Sequence, residues 1–157
     1  MAVNNPKKVS WKDSNGVWVV DYDTLDNINL FVNRNTKYVA DVLGWNKLDY
    51  WQTPEETERL GRGDCEDYAL LKAKKLLLAG ANPEAMKLLV VAPRHDPKSR
   101  HAVLAVNTVV DSGILWWKKP VTVTLLADNM WDSLYTLRES GHNFIKTAKM
   151  PDFVTKS

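Results

Sequence analysis

Gly61-Arg62-Gly63-Asp64-Cys65-Glu66-Asp67-Tyr68-Ala69 carries the only cysteine of the 157-residue chain and reads as a glycine-flanked turn opening a helix. Asp64 is an N-cap residue by type, and an acidic first turn follows it. Ala69, Leu70, Ala73, Leu76 and Leu77 then recur at helical spacing, which predicts a helix from Cys65 to about Ala79, stopped by Gly80. Lys72, Lys74 and Lys75 read as residues of that helix that reach water. A helix start offers unpaired N–H groups and the positive dipole end, both of which favour a thiolate. A lone thiol cannot close an intrachain disulfide, so Cys65 is either a small buried hydrophobe or a reagent, and its setting is that of a nucleophile.

Outward from this block, Thr53-Pro54-Glu55-Glu56 combines a capping threonine, a proline at the first helical position and a capping-box glutamate. Asp23 or Thr24 can cap an earlier helix in which Leu25, Ile28 and Val32 share a face. Asp13-Ser14-Asn15-Gly16 reads as a turn before a short strand over 17–20. Downstream of Gly80 the period changes. Residues 87–92, 101–108, 114–117 and 121–127 are rich in valine, leucine and threonine and read as strands, with Asp111-Ser112-Gly113 as a hairpin turn. Residues 143–147 add an edge strand. The expectation is a single α+β domain over 1–157, its first ten residues loose, with a helical first half packed on an antiparallel sheet.

Composition narrows the partners. A net charge of +2 with lysines and arginines spread along the chain gives no electrostatic footprint for nucleic acid. No apolar run approaches the roughly 20 residues of a membrane span. No apolar signal segment is visible in the first thirty residues, which as written places the protein in the cytoplasm, or in the periplasm if the chain is the mature part of a secreted precursor.

A nucleophilic cysteine needs a base, and His95, His101 and His142 are the choices. His101 opens the apolar run 102–106, a core strand by pattern, so a scaffold would fix it; His95 falls in a turn and His142 follows Ser140-Gly141. Asp128, at the end of a strand, can reach a neighbouring strand's histidine and hold its tautomer. The Cys65 backbone N–H is the natural first donor to an oxyanion, and Tyr50, Trp51 or Gln52 can supply a second. Trp116 and Trp117, adjacent on a strand, place one ring in the core and one outside as a substrate or partner lip.

The block around Cys65, together with 51–57, 27–33 and 101–104, closely resembles the bacterial transglutaminase-like cysteine peptidases, over most of residues 24–130. Their LapG-type periplasmic members clip large surface adhesins. The resemblance implies a papain-like, transglutaminase-core fold in which Cys65 is the nucleophile, His101 the base and Asp128 the orienting residue. The segment between His101 and Asp128 is longer here than in the adhesin-cleaving members, which keeps Asp111 as a fallback for the third role. It also implies calcium held by the acids flanking the cysteine, Asp64 and Glu66, with Asp67 left to capping. A protein or peptide substrate and a sequestering membrane receptor follow from the same resemblance, in a bacterial or phage setting. Acyl transfer to an amine, hydrolysis of a peptidoglycan amide, or a catalytically silent binding module remain as alternatives on this scaffold.

Overall fold

The computed structural model describes residues 7–40, 52–113 and 116–156. Strands β1 (Ser10–Lys12) and β2 (Trp18–Val20) pair antiparallel across the expected turn, where Asp13 Oδ1 accepts from the N–H groups of Asn15 and Val17. The loose segment expected over 1–10 thus ends in a strand at Ser10, and residues 1–6 lie outside the described chain. Helix α1 (Tyr22–Asn35) is capped by Asp21 rather than Asp23 or Thr24: the Thr24 N–H and hydroxyl donate to Asp21 Oδ2 at 3.1 and 2.8 Å, while Asp23 turns outward to Lys7.

Strand β3 (Lys37–Tyr38) follows α1, and helix α2 (Pro54–Leu60) starts as expected, with the Glu56 N–H donating to Thr53 Oγ1 at 3.2 Å. Gly61 closes α2 at φ 66°, a conformation that favours glycine. Strand β4 (Arg62–Gly63) runs parallel to β3 and carries Tyr38 alongside Gly63. Helix α3 (Cys65–Leu78) then opens on a reciprocal capping box: the Asp67 N–H donates to Asp64 Oδ1 at 3.1 Å and the Asp64 N–H to Asp67 Oδ2 at 2.9 Å. Gly63 is needed for room, since a Cβ there would stand 2.5 Å from Asp67 Cβ.

The second half consists of β5 (Met86–Ala92), β6 (His101–Ser112), β7 (Lys119–Ala127), α4 (Leu137–Ser140), β8 (Asn143–Ala148) and α5 (Asp152–Thr155). The sheet has six strands in the order β1-β2-β6-β5-β8, with β7 also paired to β6. All pairings are antiparallel except β2 with β6, so the N-terminal strands join a sheet expected only from the second half. Strands β6 and β7 form one long hairpin whose ladder continues through Asp111–Pro120 and Ser112–Lys119, so Asp111 and Ser112 belong to the strand rather than to a turn. Residues 114 and 115 of the expected 114–117 strand lie outside the described chain. Trp116 and Trp117 belong to no strand, and both are exposed, at 84% and 78%. Among the described residues no helix is long and apolar enough to cross a membrane.

Leu70, Ala73 and Leu76 of α3 meet Leu88, Leu104 and Val106 of the sheet in the main core. Tyr68 and Leu71, on another side of the helix, pack with Val32 of α1. Burial on two sides overturns the reading of Lys72 as a water-facing residue: it is 0% exposed, and its Nζ donates to the Ala127 carbonyl at 3.2 Å. Burial lowers its ammonium from 10.5 to about 7, against the opposing pull of Asp128 and Asp132.

Two stability predictions follow from this packing. Gly63→Ala should displace Asp67 and break the capping box, costing about 1–2 kcal/mol, read as a lower melting temperature. A lysine with a depressed folded-state pKa weakens the fold fully below pH 7, and the penalty fades as pH climbs from 7 towards 10.5. The change in melting temperature on Lys72→Met should therefore be more positive at pH 6 than at pH 9.5; an equal change at both would contradict the buried charge.

Candidate active site

Capping places Cys65 at the first position of α3, and its Sγ accepts from the Ala102 N–H at 3.4 Å. That contact sets the thiol against the start of β6, where His101 opens the strand. Cys65 and His101 line a common cleft of about 330 Å³ with Tyr38, His95, Arg100 and Asn129. The β6–β7 register, Leu104 opposite Ala127, carries the residue after β7 to the same end of the sheet. That residue is Asp128, and its Oδ1 is 2.7 Å from His101 Nε2. A carboxylate only accepts, so the shared proton resides on Nε2, and Nδ1 is the basic nitrogen of His101.

Asp128 has further partners that sequence reasoning missed. His142 Nε2 is 3.0 Å from Oδ2, and the Met130 N–H donates to Oδ1 at 3.0 Å. The His142 ring is buried and stacks on Trp131 at 5.2 Å and 22°. Helix α1 holds the backbone of this segment: Asn33 Nδ2 donates to the carbonyls of Asp128 and Trp131, and Asn29 Nδ2 to that of Asp132. The only trace of this in the sequence is the i, i+4 spacing of two asparagines, which puts them on one helix face. Burial raises the Asp128 carboxyl, but the hydrogen bonds and charge of His101, with Met130 and His142, outweigh it and hold the group below the usual range.

The other candidates separate cleanly. Asp111 is exposed and pairs with Pro120 near the hairpin end, far along β6 from His101. His95 lines the cleft from the loop between β5 and β6. Gln52 is buried, and its Nε2 donates to the Arg62 carbonyl at 3.2 Å and Thr57 Oγ1 at 3.4 Å, bracing the turn before Cys65. Tyr50 and Trp51 lie outside the described residues.

Burial pushes the Cys65 thiol up from 9.0 to about 12; the Ala102 and Glu66 N–H groups pull it down, while Asp64 and Glu66 push it further up. The helix start alone therefore does not make a thiolate, contrary to what the sequence setting suggests. The Asp64 carboxylate caps α3 through Oδ1, and Glu66 is half-buried on the other flank of the cysteine. Among the described residues, the one group of three or more ligand-type side chains with converging atoms is His101, Asp128 and His142. Its contacts are those of two imidazole N–H donors on one carboxylate.

A family model for bacterial transglutaminase-like cysteine proteinases matches residues 13–152, and the chain belongs to that family. The fold is similar to LapG of Legionella pneumophila: TM-score 0.62 and 22% identity to a calcium-bound structure, over 81% of this chain and 64% of that one. An EGTA-treated structure of the same protein gives a TM-score of 0.60 at 21% identity, over 81% and 62%. A UPF0252 protein of Pyrococcus horikoshii is 34% identical over 93 residues, 59% of this chain and 27% of its own length. The chain thus spans under two thirds of the length of each of these relatives.

With the thiol near 12, the rate of Cys65 alkylation by iodoacetamide without divalent cations should still be climbing at pH 9. A plateau below pH 7 would show that the helix start outweighs burial.

Proposed function

We propose that this member of the bacterial transglutaminase-like cysteine proteinases is an endopeptidase with Cys65 as nucleophile, His101 as base and Asp128 as the residue that orients it. The observation that carries this reading is the 2.7 Å His101–Asp128 contact beside a thiol that rests on the N–H of the next residue, Ala102. One edge of the imidazole is fixed by Asp128, and His101 and Cys65 line the same cleft.

In the mechanism, His101 Nδ1 takes the thiol proton as Sγ attacks the scissile carbonyl, and Asp128 stabilises the imidazolium. The Cys65 N–H, at the first turn of α3, is the donor this mechanism assigns to the developing oxyanion. His101 then protonates the leaving amine, and water, activated by the same imidazole, resolves the thioester. Replacing Asp128 by Asn should leave binding intact and lower kcat by about 10²–10⁴-fold, through loss of the correct tautomer.

Calcium fits the chemistry of the acids at the helix start. Asp64 and Glu66 offer hard carboxylate oxygens on both flanks of the sulfur, and both raise its pKa. They would hold the ion, with oxygens beyond this pair completing its shell. A cation there supplies positive charge that reverses their effect on the thiol. The calcium-bound and EGTA-treated forms of LapG make calcium the ion to test here. The protein substrate class follows from the family, and a large bacterial surface adhesin is the first substrate to try.

Cleavage of such a protein should require Cys65 and His101, with Cys65→Ala or His101→Ala lowering kcat by about 10³-fold or more. Calcium should shift the alkylation profile of Cys65 to lower pH, and EGTA should reverse it. Asp64→Asn with Glu66→Gln removes two negative charges, so it should speed calcium-free alkylation and abolish the response to calcium. Undiminished turnover by Cys65→Ala would end the reading.

A further inference from the structure

We infer that Lys72 is a positioning residue for the catalytic carboxylate, its enclosed Nζ holding the Ala127 carbonyl from which the chain turns to present Asp128 to His101. The inference rests on the peptidase reading above and goes beyond it to what sets the distance between nucleophile and acid.

The β6–β7 ladder ends at Ala127, and the chain rejoins β7 only where Tyr135 bridges to Leu126, so residues 128–134 lie off the ladder. Side chains place them instead. Asn29 and Asn33 hold the carbonyls of Asp128, Trp131 and Asp132 from α1, and Lys72 holds that of Ala127 from α3 at 3.2 Å. Lys72 is 0% exposed, and its Nζ also lies 5.9 Å from the centre of the Tyr68 ring on its own helix. Asp128 and Asp132 are the acids whose charge it feels.

Its place on the helix is what ties it to the chemistry. Lys72 lies seven positions after Cys65, about two turns or roughly 10.5 Å along the axis, and on nearly the same face. One rigid helix thus carries the nucleophile at its first residue and the support of the orienting carboxylate two turns on. Charged or neutral, the amine still donates to Ala127, so the support persists on both sides of pH 7. Methionine, apolar and one atom shorter, fills most of the same space and relieves the burial of a cation, but leaves that carbonyl without this donor. A lysine that only filled space would be replaced by methionine without consequence at the site.

The test compares wild type, Lys72→Met, Lys72→Gln and His101→Ala in calcium at pH 7.5. It reads Cys65 alkylation by iodoacetamide, and by NMR the downfield His101 Nε2–H proton held by Asp128. Lys72→Met should keep a wild-type melting temperature or better at pH 6, alkylate about tenfold more slowly, and lose or shift the downfield proton. Lys72→Gln, which keeps an amide donor, should recover part of both signals; if the methionine variant does not fold, Lys72→Leu takes its place with the same expectations. Wild-type alkylation and an unmoved proton in Lys72→Met, or in the Lys72→Leu that replaces it, overturn the inference. His101→Ala separates the two claims: if it alkylates like wild type, the peptidase reading falls, whatever Lys72 does.

Discussion

The structure turns on one carboxylate removed from water. The Asp128 side chain is fully buried, and an unpaired carboxylate in that position would cost several kcal/mol. Its two oxygens are met by His101, His142 and the Met130 N–H, so the start of β6, the end of β7 and the loop after α4 must converge. The same requirement fixes chemistry. A group that only accepts forces a proton onto Nε2 of both histidines and leaves Nδ1 of His101 basic. What satisfies the buried charge would also prepare the proposed base. On that reading folding and catalysis draw on the same hydrogen bonds, and a change to either histidine could not be read as purely one or the other.

The helix start at Cys65 contains an opposition that magnitudes decide. A helix dipole is worth about 0.3–1 kcal/mol to a charge at its end, and about 2 in partly buried geometries. Raising the thiol from 9.0 to about 12 corresponds to about 4 kcal/mol against the thiolate. Burial and two flanking acids therefore win, and the resting sulfur keeps its proton. On the proposed mechanism such a nucleophile is conditional: it would need a base aimed at it and would gain from a cation beside Asp64 and Glu66. The proposed ion site would give a role to acids that look wrong next to a thiol.

Local chemistry was legible in the sequence; enclosure by distant elements was not. Capping at Thr53 and Asp64, the strand opened by His101 and the terminal position of Asp128 all follow from residue type and spacing over a few positions. Lys72 was misread because a single-face helical pattern assumes one buried side, whereas α3 is packed by both α1 and the sheet. The pairing of His142, a candidate base, with Asp128 was not legible for a related reason: its partner is 14 residues away, and a lone histidine after Ser140-Gly141 carries no period. The cap of α1 moved to Asp21 because three capping residues crowd one turn, and only the direction of the chain leaving β2 chooses among them.

The length of β6 settles a question about the aromatic pair near the hairpin tip. His101 is the first of its 12 residues, and Trp116 and Trp117 lie beyond its last. At about 3.3 Å per residue, that strand separates the two ends by roughly 36 Å. Neither tryptophan can line the cleft that holds Cys65, and neither is core, since both rings are exposed. Of the expected substrate or partner lip, a lip on the cleft that holds Cys65 therefore fails on distance, while a partner lip at the hairpin tip is untouched. The hairpin that carries them is thus free to change without disturbing Asp128, because the β6–β7 ladder from Leu104–Ala127 to Thr108–Val123 stands between the two ends.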